Sequence, residues 1–137
     1  KIVAIGASAG GFAAILFGQL LKFSKVIAFN PQTVISQEKE TILNDLFTLD
    51  ELCKKLRNQN TSDNLYQNCL NLKNLLPFKT KVDLHFSNLS EVDKNHAKFI
   101  EHKNCKLIPY QSSSHLIAQQ LKESGKLKSI IRENLLF

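Results

Sequence analysis

The chain is poor in the residues that cross-link or ligate. Its 137 residues include three cysteines, Cys53, Cys69 and Cys105, an odd number without C-x-x-C spacing, so neither a disulfide framework nor a zinc site is indicated. A reducing compartment fits that usage. No H-E-x-x-H or comparable spacing of histidines and acids occurs, which gives metal binding no support and leaves no cofactor to expect. No apolar run approaches the roughly 20 residues of a membrane-spanning helix, and no charged-then-apolar leader precedes the first strand, so the expected location is the cytoplasm. Internal repeats and low-complexity tracts are absent. Methionine is absent as well, and the chain opens directly on a core-type strand. More chain N-terminal to residue 1, in a longer protein, is therefore the expectation.

What is present is an ordinary globular composition. A hydrophobic content of 43% over this length predicts a single domain, residues 1–137, with a real core. The formal charge of +6 comes from lysines and arginines spread along the chain, with no basic run and no interleaved aromatics, so a nucleic-acid partner is not expected. Composition does not set the oligomeric state.

The most informative stretch is the first. Lys1 to Ile5 is short, apolar and β-branched, and reads as a buried strand. Gly6-Ala7-Ser8-Ala9-Gly10 is a tight small-residue turn, and from Phe12 to Lys22 an all-round apolar helix follows. Lys25 to Phe29 reads as a second strand, parallel to the first because a helix of about 11 residues intervenes. Asn30-Pro31-Gln32 ends it. Ser36 to about Asn58 has helical spacing, and a second helix runs from Ser62 or Asp63 to Pro77. Lys81 to Phe86 is a third strand, and Asp93 reads as the N-cap of a helix over Asn95 to His102. Lys106 to Tyr110 is a fourth strand. The loop Gln111 to Ser114 leads into a helix that Gly125 ends, and apolar positions continue to Leu136. The fold class is α/β, a mainly parallel sheet flanked by helices.

Gly6 to Gly10 fits G-x-S-x-G, in which a serine stands on a sharp turn from strand to helix with its oxygen exposed above the sheet. A serine hydroxyl becomes a nucleophile when a base takes its proton and a third group holds that base. Four histidines are available. His85 falls inside a strand, His96 and His102 on a surface helix, and His115 at the loop-to-helix junction after the last strand. In an open parallel sheet the crevice beyond the C-terminal strand ends is where sites form, and Ser8 and His115 both belong there. Asp93 and Glu91 both follow the third strand on the same rim. Asp93 is the preferred carboxylate, Glu91 the alternative, and Asp83, within a strand, a third.

The order Ser8, then Asp93 or Glu91, then His115 resembles the C-terminal portion of the α/β-hydrolase superfamily, beginning at the nucleophile-elbow strand. The resemblance implies a serine hydrolase or acyltransferase acting on an ester or thioester, with a small-molecule or acyl-carrying substrate. It also implies that the Ala9 N–H contributes to the oxyanion hole, and that the helical segment of about 36–76 is a lid-like insertion in which Phe47, Leu52 and Tyr66 line an acyl pocket. Two other families share the opening letters. Chemotaxis-type methylesterases have a similar start but carry a histidine shortly after the second strand, where this chain has none. Short-chain dehydrogenases have a similar Gly-rich turn but need a Tyr-x-x-x-Lys pair, which neither Tyr66 nor Tyr110 supplies. A non-catalytic module that keeps the fold for assembly is the further alternative.

Overall fold

The computed structural model describes residues 1–36, 38–45 and 69–135. Four strands, β1 (Val3–Ala7), β2 (Lys25–Phe29), β3 (Lys81–Ser87) and β4 (Cys105–Tyr110), form one sheet in the order β1-β2-β3-β4. All three pairings are parallel, with Ala7 opposite Phe29, Phe29 opposite His85, and Ser87 opposite Tyr110. Every strand therefore ends at the same side of the sheet, and whatever follows the strand ends gathers along one rim.

The helices are α1 (Ala9–Leu20), α2 (Glu38–Leu43), α3 (Glu91–Phe99), α4 (Ile117–Glu123) and α5 (Lys126–Leu135), with a 3₁₀ turn at Leu72–Leu75. Side chains alternate across the central strands, and this alternation divides the core in two. Val26, Ala28, Val82, Leu84 and Phe86 meet Phe12 and Ile15 of α1, Leu72, and Ala97 of α3 on one face. Ile27 and Phe29 point the other way, onto Ile117 and Leu121 of α4 and Leu127 and Ile130 of α5. Burying an aliphatic or aromatic side chain of this kind contributes about 1.5–3 kcal/mol, so the sheet with its two helical layers carries the fold. Gly125, at φ 78°, turns the chain between α4 and α5.

The opening stretch departs from its sequence reading in two ways. β1 is an edge of this sheet, with Ile2 and Ile5 exposed, and α1 buries one face (Gly11, Phe12, Ile15, Gly18) while Phe17 and Leu20 are about half exposed. An all-round apolar pattern reads as full burial, but the second layer that would cover those side chains is not among the described residues. Second, α1 starts at Ala9 rather than Phe12. Gly11 can sit in its first turn because a Cβ there would lie 2.8 Å from Pro31 Cβ, so only glycine lets the helix approach the end of β2 that closely. The helical segment read over about 36–76 is described at its two ends only, as α2 and the 3₁₀ turn.

The two glycines of G-x-S-x-G are not equivalent. A Cβ on Gly6 would collide with the carbonyl of Gly10, whereas a Cβ on Gly10 would meet nothing within 4 Å. Gly6→Ala should cost about 1–3 kcal/mol or prevent folding, while Gly10→Ala should change stability by less than about 1 kcal/mol. Urea midpoints of the two variants check this, and equal effects would contradict the steric argument.

Candidate functional site

Ser8 stands between β1 and α1 at φ 52°, ψ −120°, a conformation L-residues rarely adopt. Three hydrogen bonds fix it. Its N–H donates to the Phe29 carbonyl (3.0 Å), and its carbonyl accepts from the N–H groups of Phe12 (3.1 Å) and Gln32 (3.2 Å). The serine is thus bound to the last residue of β2, to the first turn of α1 and to the loop after β2, which leaves its side chain projecting from the rim.

The carboxylate arrives on α3. Ser90, not Asp93, is the N-cap of this helix, and its Oγ accepts the Asp93 N–H at 3.3 Å. The helix accordingly starts at Glu91, four residues before the sequence reading placed it. Because a serine does the capping, the Asp93 carboxylate is not engaged with the helix end and turns to the rim instead. It is almost fully buried. Glu91, the alternative carboxylate, points to solvent and pairs with Lys94 at 2.8 Å, so it does not meet the histidine. Asp83 pairs with Lys25 at 2.6 Å in the sheet.

His115 lies in the loop between β4 and α4 and joins the other two. Its Nδ1 is 2.8 Å from Asp93 Oδ1 and its Nε2 is 2.9 Å from Ser8 Oγ. A carboxylate at Nδ1 keeps the proton on that nitrogen and leaves the Nε2 lone pair to accept from the serine hydroxyl. The hydrogen bond to Asp93 raises the His115 pKa above the ordinary imidazole value; partial burial opposes it, and the charges of Asp93 and Asp45 add to it. Ala9 is the first residue of α1, directly after the serine, and its N–H is one of the helix-end donors with no intrahelical acceptor.

A cavity of about 580 Å³ opens beside Ser8 and His115, with Pro31, Gln32, Asn44, Asp45, Val92 and His96 among its walls. His96 corrects the sequence reading, which set it on a surface. It is 2% exposed. The Thr33 N–H donates to its Nδ1 at 2.9 Å, its Nε2 meets Asp45 Oδ2 at 2.8 Å, and Lys39 Nζ is 3.6 Å from the same oxygen. Burial lowers the His96 pKa despite Asp45; because Nδ1 accepts the Thr33 N–H, Nε2 carries the proton and donates it to the carboxylate. The one sequence signal for its burial was its place three residues after Asp93, on the same side of α3. Asp45 and Lys39 carried no such signal. Phe47, Leu52 and Tyr66, read as acyl-pocket residues, lie outside the described residues. Among the described residues no group of three or more His, Cys, Asp or Glu could hold a metal ion, and no helix is long and apolar enough to cross a membrane.

Comparison with known proteins is informative at the level of fold. No protein-family model and no curated protein matches the sequence. Solved structures do. A structure of the metagenome-derived lipolytic enzymes LipS and LipT matches with a TM-score of 0.56 and 13% identity over 94% of this chain and 63% of its own. A protein of unknown function from Staphylococcus aureus matches with a TM-score of 0.63 and 13% identity over 98% and 64%. A lipase-esterase related protein from Clostridium acetobutylicum matches with a TM-score of 0.55 and 16% identity over 96% and 65%. The chain has an α/β-hydrolase-type fold. It spans a little under two thirds of the length of these three structures. Within the hydrolase-type fold, Ser8 occupies the turn after the first described strand, and the other two residues follow the third and fourth.

A further buried histidine lies near the end of β3: His85 is 3% exposed between the rings of Phe29 (4.8 Å between centroids) and Tyr110 (5.8 Å). Tyr110 Oη bonds its Nδ1 at 2.8 Å, and burial pushes its pKa down to about 4. In the unfolded chain a histidine takes its proton near pH 6.5. The fold therefore resists a proton the unfolded chain accepts, and stability is complete above about pH 6.5 and falls as the pH drops towards 4. His85 should account for a loss on the order of 1–2 kcal/mol between pH 7 and pH 5. His85→Phe, which keeps the ring stack and cannot titrate, should lose less over that interval. Urea unfolding at the two pH values checks this; an unchanged pH loss in the variant would refute the assignment.

Proposed function

We propose that the protein to which this chain belongs hydrolyses or transfers an acyl group from an ester or thioester, with Ser8, His115 and Asp93 as its catalytic set. One observation carries the reading: a single imidazole lies within hydrogen-bond distance of a strained, rim-facing serine hydroxyl on one nitrogen and of a buried carboxylate on the other. An interaction module has no need for that relay. A dinucleotide site is expected where the strand order reverses, and among the described residues the order β1-β2-β3-β4 has no reversal. The lipolytic and esterase-related names of the structural neighbours agree with ester chemistry.

In this reading Ser8 Oγ attacks the acyl carbon while its proton passes to His115 Nε2. Asp93 keeps the ring in the right tautomer and stabilises the imidazolium, and the Ala9 N–H steadies the oxyanion. The intermediate collapses as His115 returns the proton to the leaving alcohol or thiol. Water, or an acceptor alcohol, then repeats the sequence on the acyl-serine. The cavity beside Ser8 receives the acyl or leaving group.

In the full-length protein Ser8→Ala should abolish turnover of a short-chain nitrophenyl ester and labelling by a fluorophosphonate probe; undiminished turnover would sink the assignment. The pH profile follows from the direction of the His115 shift. The base must be neutral, so kcat/KM should be lost as pH falls through a midpoint above the ordinary imidazole value of about 6.5. Asp93→Asn should move that midpoint down and lower kcat by roughly 10³–10⁴-fold, the order seen when a triad acid is neutralised. Glu91→Gln should leave both unchanged. A profile that shifts with Glu91 and not with Asp93 would exchange their roles.

A further inference from the structure

His115 is gripped at its ring, but the loop that carries its backbone, residues 111–116, contains no helix or strand. The Leu89 N–H holds the Ser112 carbonyl at 3.0 Å, and the His115 carbonyl itself is held by Asn30, the first residue after β2. Asn30 is 1% exposed and holds φ 39°. Its Nδ2 is 2.9 Å from the His115 carbonyl, 3.2 Å from the Ser114 carbonyl and 3.0 Å from Ser87 Oγ, while its Oδ1 accepts the Ser87 N–H at 2.8 Å. Ser87 Oγ in turn donates to the Ser114 carbonyl at 2.5 Å. The amide can face only one way, since the two carbonyls need hydrogens and the Ser87 N–H needs an acceptor. The Asn30 N–H is itself fixed on the His85 carbonyl at 2.8 Å.

We infer that Asn30 is a positioning residue, which fixes the His115 backbone against the ends of β2 and β3 and so sets where the imidazole stands between Ser8 and Asp93. The inference rests on the reading of Ser8, His115 and Asp93 as the catalytic set. It also explains the residue type. The position requires a left-handed φ, which asparagine tolerates better than most residues, and a buried group that donates to two carbonyls while accepting from an N–H. Glycine meets the first requirement and not the second. Aspartate meets the first and, when ionised, can only accept.

Asn30→Gly in the full-length protein is the test, read in two ways. The carboxylates that face His115 are Asp93 on α3 and Asp45 after α2. With the loop released, the bond to Asp93 lengthens, and the His115 titration midpoint, followed by NMR of labelled histidine, should fall towards the ordinary imidazole value. In parallel, kcat for a short-chain nitrophenyl ester should drop roughly 10- to 100-fold, as expected for a base displaced by about 1 Å, with KM little changed. A variant that melts earlier but keeps both the midpoint and kcat would show a structural role only and overturn the inference. Should Asn30→Gly fail to fold, Asn30→Asp carries the test through kcat alone, because its own charge would move the His115 midpoint; a kcat equal to the parent's would overturn it. The NMR midpoint needs no turnover. If Ser8→Ala shows that the serine is not the nucleophile, a shifted midpoint still supports Asn30 as the residue that sets His115, and an unshifted one refutes it.

Discussion

A serine held in the left-handed region costs on the order of 1–3 kcal/mol of backbone strain and persists only where its surroundings over-determine it. Ser8 is in that position, and the elements around it are shaped to keep it there. Gly6 makes room for the carbonyl of Gly10, Gly11 lets α1 approach Pro31, and the Phe29 carbonyl takes the Ser8 N–H as a continuation of the β1-β2 ladder. The two N–H groups on the serine carbonyl come from opposite directions, one from the helix and one from the loop after β2. Relaxing the serine to an ordinary φ would break bonds to β2, to α1 and to the loop after β2, so three segments together hold the strained conformation.

The same pair of chemical groups, histidine with aspartate, occurs twice along one cavity, and burial gives the two pairs opposite properties. At His115 the hydrogen bond to Asp93 outweighs partial desolvation and the pKa rises. At His96 desolvation is the larger effect, the pKa falls, and the charge of Asp45 is met by Lys39 instead. The carboxylate thus favours the charged form of the half-exposed imidazole, and burial disfavours that of the buried one. His96 is a donor in the cavity wall, joining α3 to the loop after α2.

How much of this was legible in the sequence depended on the range of the interaction. The elbow is local: glycine, serine and glycine within five residues require a strand-to-helix turn. The parallel order follows from helix lengths between strands, and His115 was identifiable by its place after the last strand. Asp93 was read as a cap because aspartate caps helices well, yet Ser90 three residues earlier does so equally well, and the choice between them is made by His115, 22 residues away in sequence. His96 looked like a surface residue because its partners, Thr33 and Asp45, lie 63 and 51 residues away. The exposed side of α1 could not be foreseen either, since an apolar pattern records what a helix is able to bury rather than what is present to cover it.

The residues that set the geometry of the site are neither the serine nor the histidine but Phe29, the last residue of β2, and the three after it, which the sequence reading treated as a stop. Phe29 takes the Ser8 N–H, Asn30 takes the Ser114 and His115 carbonyls, Pro31 packs on Gly11, and Gln32 donates to the Ser8 carbonyl. β2 is also an inner strand, hydrogen-bonded on both sides and buried on both faces. Ser8 and His115 are 107 residues apart in sequence and 2.9 Å apart in space, yet both are hydrogen-bonded to this one segment, the serine through Phe29 and Gln32 and the histidine carbonyl through Asn30. A proton relay of the kind proposed for Ser8 and His115 demands a constant relative position far more than a constant absolute one, and a common anchor on an inner parallel strand, to which Asn30 ties the loop of the histidine, meets that demand.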